Sequence, residues 1–254
     1  MGKAIRALAL LGILALALFA TTATGQTVRL GNLVVTIEGQ ISPKALPKRE
    51  VAPITLSVSG SLKTADQTHP PVLKELFLEF DKHGELNTKG LPTCRASELQ
   101  ATLTARAKRV CGDALIGEGK AEAEIAFPEQ APFSASGPLL IFNGAPKGGK
   151  QVLVFHVYAF VPAPTTFVTT AVISKTKGKY GTTAEVKIPT IVAGQGSLTA
   201  FNATLHKTWT YKGQKQSLLL ASCPTGHLYA HGVFTFADGT RLSGDVARSC
   251  TPKG

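Results

Sequence analysis

Residues 198–211 read LTAFNATLHKTWTY, and their alternation decides the class of fold. Phe201, Ala203, Leu205 and Trp209 fall on one face of an extended chain, with Asn202, Thr204, His206 and Thr208 on the other. Apolar against polar at period two is the pattern of a half-buried strand. Residues 54–60 (ITLSVSG) repeat it, with Leu56 and Val58 facing one way and Thr55, Ser57 and Ser59 the other. In residues 76–81, Leu76, Leu78 and Phe80 read as inward, and Glu79 and Asp81 as outward. Residues 152–161 are apolar on both faces, which predicts a central strand covered on each side. Further strands are expected over 28–38, 121–127, 139–142, 167–173, 184–188, 218–221, 233–236 and 242–246. Asp238-Gly239, between the last two, is the dipeptide a type I′ hairpin prefers. The expectation is an all-β, antiparallel sandwich, or two fused sandwiches, of about ten to twelve strands.

The first 25 residues stand apart. Lys3 and Arg6 precede an apolar run from Ala7 to Ala20, and small residues follow through Ala23 to Gly25. Basic end, short apolar stretch and small residues at the cut make a secretory signal peptide, with cleavage after Ala23 or Gly25. The run is shorter than the ~20 residues a bilayer span needs, and no second one appears, so no transmembrane segment is expected in the mature chain. The reading is 1–25 as signal peptide and 26–254 as one β-sandwich-like region, divisible, if anywhere, near 144–150. It places the protein outside the cell, secreted or associated with the envelope.

Composition narrows the class of partner. Charged residues are 17% and hydrophobic ones 44%, which excludes a disordered polyelectrolyte. Lys+Arg 27 against Asp+Glu 16 gives +11, and removal of Lys3 and Arg6 leaves 25 minus 16, or +9. Such a balance favours anionic surfaces: wall polymers, acidic glycans or lipid head groups. Nucleic acid is excluded as a partner for an exported chain without a recognisable binding module.

Export also sets how the four cysteines read. In an oxidising compartment they form two disulfides, with three possible connectivities. Sequence order favours Cys94–Cys111 and Cys223–Cys250. Between the first pair the apolar period changes: Leu99, Leu103, Ala107 and Val110 recur at helical spacing behind a Ser97/Gln100 capping pattern. One straight helix over 97–110 would hold its ends roughly 20 Å apart. A disulfide requires Cα atoms within about 7 Å. The helix must therefore break near Thr102 and Thr104, giving two short turns folded back on each other.

No residue set assembles a catalytic motif. Residues 144–150 (GAPKGGK) match the spacing of a phosphate-cradling loop, but Gln151 stands where Ser or Thr must hold Mg²⁺, and a strand follows instead of a helix. They read as a glycine-rich hairpin. His227 and His231, four apart with Tyr229 between, are the weak metal candidates, and no third ligand stands near them in sequence. No cofactor is expected. His156, inside the most apolar strand, reads as a neutral hydrogen-bonded core histidine. Glu79 and Asp81 are about 7 Å apart by strand rise, but a glycosidase sets its carboxyls on opposite sides of a sugar. Trp209, Tyr211, Tyr180 and Tyr229 are candidate stacking groups for sugars.

The stretches at 68–71 (THPP), 76–84 (LFLEFDKHG), 90–94 (GLPTC), 142–144 (FNG), 156–158 (HVY) and 221–224 (ASCP) resemble, in that order, a family of exported β-rich proteins found in many copies in actinobacterial genomes. The resemblance runs over nearly the whole mature chain. It implies export and a β-rich fold, and it assigns no activity, ligand or catalytic residue. The expected function is a non-enzymatic exported protein that binds or decorates the cell envelope. The alternatives are a hydrolase acting on extracellular polysaccharide and a metal-binding module.

Overall fold

The computed structural model describes residues 25–254. The signal-peptide reading, apart from Gly25, lies outside the described residues. Twelve strands form one antiparallel sheet: β1 (Gln26–Leu30), β2 (Leu33–Ser42), β5 (Thr55–Thr64), β6 (Leu73–Asp81), β8 (Leu115–Ile125), β9 (Phe133–Lys147), β10 (Lys150–Ala159), β11 (Thr165–Lys175), β12 (Tyr180–Lys187), β13 (Gly196–Leu205), β17 (His227–Phe236) and β18 (Arg241–Ser249). Seven short strands finish the ends: β3 (Ala45–Pro47), β4 (Ala52–Pro53), β7 (Gly84–Leu86), β14 (Thr208–Tyr211), β15 (Gln214–Ser217), β16 (Leu219–Ala221) and β19 (Thr251–Lys253).

Within the large sheet the order is β1-β2-β5-β13-β8-β9-β10-β11-β12-β6-β17-β18. Sheets this wide curl, because each strand pair adds a right-handed twist. Here the curl brings the two edges together. A Cβ on Gly244 of β18 would lie only 2.5 Å from Val28 Cγ2 of β1. The layers of the sandwich are thus one continuous sheet folded on itself. Leu33, Val35 and Leu62 from one side share a single core with Leu76, Phe234 and Leu242 from the other. A cavity of only about 40 Å³ remains between β1–β2 and β6–β17–β18, lined by Val28, Ile37, Leu78 and Phe234.

The doubly apolar stretch behaves as its composition predicts. Leu153 joins the inner core with Leu139 and Ile141. Val152 and Val154 point the other way and pack with Leu140 and Phe142 beneath the helical insertion. That insertion is α1 (Ala96–Leu99) and α2 (Thr104–Cys111), with the helix broken between them. Ala101 takes φ +52, and the Thr102 hydroxyl donates to the Leu99 carbonyl at 2.7 Å, turning the chain back. Cys94 and Cys111 are joined, with Cα atoms 5.6 Å apart. Leu99, fully buried here, contributes roughly 1.5–3 kcal/mol of burial to holding the insertion on the sheet.

Cys223 and Cys250 close the end of the sheet, with Cα atoms 6.1 Å apart. They pack with Leu46, Ile54 and Ala221 where β16 sits between β4 and β7 and β19 runs parallel to β3. Three local readings change: residues 28–38 are not one strand but parts of β1 and β2, paired as a hairpin that turns at Gly31, φ +57, because glycine takes this left-handed conformation without strain. Residues 198–211 are not one strand: β13 ends at Leu205, and residues 208–211 pair with β15 in a separate hairpin. The reason is competition for backbone partners, since His206 N–H bonds Ile116 O and Leu218 N–H bonds Lys207 O, leading the chain off the sheet. At Asp238-Gly239 only Gly239 has positive φ, +88, whereas type I′ needs two such residues. Gly239 N–H bonds Phe236 O instead, and Asp238 Oδ1 accepts from Thr240 N–H at 2.8 Å. Among the described residues, no helix is long and apolar enough to cross a membrane.

Candidate functional site

Several residues singled out by sequence meet on the outer face of β12, β6, β17 and β18. The register places His231 between Glu79 of β6 and Asp245 of β18. Tyr180, at the start of β12, donates its hydroxyl to Asp245 Oδ1 at 3.0 Å, and His231 Nδ1 meets the same oxygen at 3.1 Å. Tyr229 lies two residues from His231 on the same face, its ring 6.3 Å from that of His227. Lys179 Nζ stands 5.1 Å from the Tyr180 ring and 4.7 Å from the Tyr229 ring, so one ammonium spans both π faces. Lys175, the last residue of β11, and Lys177, in the β11–β12 turn, are both exposed.

The electrostatics follow from these contacts. The Tyr180 hydroxyl, with a smaller contribution from His231, holds the Asp245 carboxyl below the usual carboxylate range. Burial first, then its bond to Asp245, pushes the Tyr180 phenol up. Lys179 is shifted up, chiefly by its bond to Tyr180. At neutral pH the face therefore presents a fixed carboxylate, two tyrosine rings and a charged ammonium. That set can stack a sugar ring, bond its hydroxyls and pair an acidic substituent.

Other candidates go elsewhere. Asp81 does not face water beside Glu79: it is buried, its Oδ1 accepts from His83 N–H at 2.9 Å and its Oδ2 from Tyr229 N–H at 3.0 Å. It shapes the turn and holds β17 in place. His227 and His231 lie four residues apart on one extended strand, about 13 Å by strand rise, too far to share an ion. The one cluster with metal-ligand spacing among the described residues is Cys94, Glu98 and Cys111, whose sulfurs are already bonded to each other. His156 is fully buried, and its Nε2 donates to the Thr102 carbonyl at 2.9 Å; burial pushes its pKa down. Trp209 Nε1 donates to Lys89 O at 3.1 Å, and Tyr211 packs against Gly90, so these two aromatics hold the 88–91 loop. Gly144 to Lys150 forms the β9–β10 hairpin, with Gly148 and Gly149 both at positive φ as a type I′ turn requires.

One trio was invisible in the sequence. Ser197 Oγ lies 3.1 Å from His69 Nε2, and His69 Nδ1 lies 2.8 Å from Glu124 Oε1. The order matches a nucleophile, base and orienting acid. Ser197 is fully buried, however, and donates its proton to the Pro70 carbonyl at 2.6 Å. It staples the 65–72 loop to the sheet. A groove of about 280 Å³ is lined by Glu38, Ser59, Glu122 and Asn202 together with Ala200 and Phe201. Glu38 and Glu122 sit three strand spacings apart and two residues out of register, roughly 16 Å between backbones, and Lys120 pairs with Glu122 at 2.7 Å.

Comparison with known protein families, curated proteins and solved structures finds no match to this chain.

Proposed function

We propose that the chain is an exported, non-enzymatic protein that binds the cell envelope, taking an acidic glycan or anionic wall polymer on the Tyr180–Tyr229–His231 face. The observation that carries the reading is the Lys179 ammonium held over two half-buried tyrosine rings beside a carboxylate that accepts from both Tyr180 and His231. Aromatic faces match the apolar side of a sugar, and Asp245 accepts from its hydroxyls. Lys175, Lys177 and Lys179 supply the cations that an acidic polymer needs. The two disulfides and the signal-like first 25 residues favour the export side of the reading.

The test is titration calorimetry of the oxidised mature protein with a uronic-acid oligosaccharide, against Tyr229→Ala. Affinity should fall about five- to tenfold in the variant, the loss of one stacking contact of ~1–1.5 kcal/mol. Equal affinity in both proteins would remove this face from the account.

A further inference from the structure

A second surface lies on the helical insertion, apart from the tyrosine face. Among the described residues six large apolar side chains are strongly exposed, and four of them belong to this one side: Phe160 at 68%, Leu103 at 54%, Val161 at 49% and Val110 at 48%. Their adjacency follows from contacts. The Thr102 carbonyl accepts from His156 Nε2 and from the Thr166 hydroxyl, both at 2.9 Å, which sets Leu103 beside the end of β10 and β11. Thr166 is the register partner of Tyr158, whose ring meets Phe160 edge-on at 4.8 Å. On α2, Ala107 and Cys111 face the sheet, and Lys108 on one flank reaches Glu118 of β8. At 100° per residue, Leu103, Arg106 and Val110 fall on the opposite flank, toward β10 and β11, with Arg109 next to them. Among the described residues neither Arg106 nor Arg109 has an ion-pair partner.

We propose that this side docks on an anionic lipid bilayer. Phe160 and Val161 at the β10–β11 turn, with Leu103 and Val110, enter the interfacial region, while Arg106 and Arg109 bond lipid phosphates. The shape favours lipid over a protein groove or peptide: the apolar groups project from a turn and a helix, and none lines the groove beside Glu38 and Glu122 or the small cavity beneath β1 and β2. Charge matches too, because guanidinium groups bind phosphate oxygens in pairs and aromatic rings settle at the headgroup level. This inference goes beyond glycan binding and uses none of its residues.

The experiment is co-sedimentation of the oxidised mature protein with vesicles of half phosphatidylglycerol and half phosphatidylcholine, and with phosphatidylcholine alone. Binding should be confined to the anionic vesicles. Each cation near such a surface contributes about fivefold in affinity, so Arg106→Glu with Arg109→Glu should weaken binding by about 25-fold or more. Phe160→Ser with Val161→Ser should weaken it about tenfold or more while the melting temperature falls by only a few degrees, the loss of the edge contact with Tyr158. Tyr229→Ala should bind vesicles as the parent does. Binding equal on neutral and anionic vesicles, absence of binding to either, full binding by the Phe160/Val161 variant, or loss in Tyr229→Ala alone would each overturn the proposal.

Discussion

Replacement of both Cys223 and Cys250 by alanine removes the tie that closes one end of the sheet, and its cost can be worked from the chain. The bond spans 27 residues. Cross-linking a loop of that length withdraws roughly 12 cal/mol/K from the unfolded chain, or about 3.5 kcal/mol at 25 °C. Both residues are buried against Leu46, Ile54 and Ala221, so lost packing adds to the entropic cost. In a domain of this size each kcal/mol moves the melting temperature by about 2–4 °C, so the expected drop is roughly 7–14 °C. The Cys94–Cys111 bond spans 17 residues, and its removal should cost about 3 kcal/mol by the same reasoning. The assay is thermal unfolding followed by circular dichroism, with non-reducing peptide mapping of the parent to verify both pairings. A double variant melting within about 2 °C of the parent would refute the reasoning, because the loop-closure term does not depend on how the native end is packed.

Two further outcomes follow from buried groups. His156 has its pKa pushed below the ordinary 6.5 by burial, so below that pH the unfolded chain binds a proton that the native one does not. The stability held by neutral His156 is present above 6.5 and lost as pH falls from there toward the native pKa, at no more than about 1.4 kcal/mol per pH unit. Urea unfolding at pH 7 and pH 5 should show the gap between parent and His156→Gln narrowing at pH 5; a constant gap would contradict this. At Gly119 an added Cβ would sit 1.9 Å from the Asn202 carbonyl oxygen of the neighbouring strand. Gly119→Ala should therefore destabilise by about 3 kcal/mol, whereas Gly39→Ala, with open space around it, should stay within about 0.5 kcal/mol by the same denaturation assay.

Period-two alternation and doubly apolar runs are local properties, and they carried the class of fold and the covering of β10 on both sides. The broken helix was legible for a different reason, a length argument: a straight helix cannot bring Cys94 to Cys111. Register is not local. That Asp245 would stand beside His231, or Tyr180 beside Asp245, depends on which strands pair across 14 and 65 residues of chain. Asp81 shares the parity of Glu79 and still ends up buried, because the turn at His83 and the backbone of Tyr229 claim its oxygens. Ser197, His69 and Glu124 carry no spacing signal, since a loop and two strands far apart in sequence bring them together. The curl of one sheet into both layers escapes the sequence in the same way, as it is set by pairings beyond any local window.

Binding to the envelope is the central claim, and co-sedimentation of the oxidised mature protein with purified cell envelopes across a salt series tests it most directly. The account predicts pelleting that weakens as salt rises, because the lysines of the β11–β12 turn and the guanidinium groups of α2 meet anionic groups through screened charge. It further predicts that Tyr229→Ala combined with Arg106→Glu and Arg109→Glu pellets less than the parent at every salt concentration. A parent protein that stays in the supernatant at all salts would contradict the account.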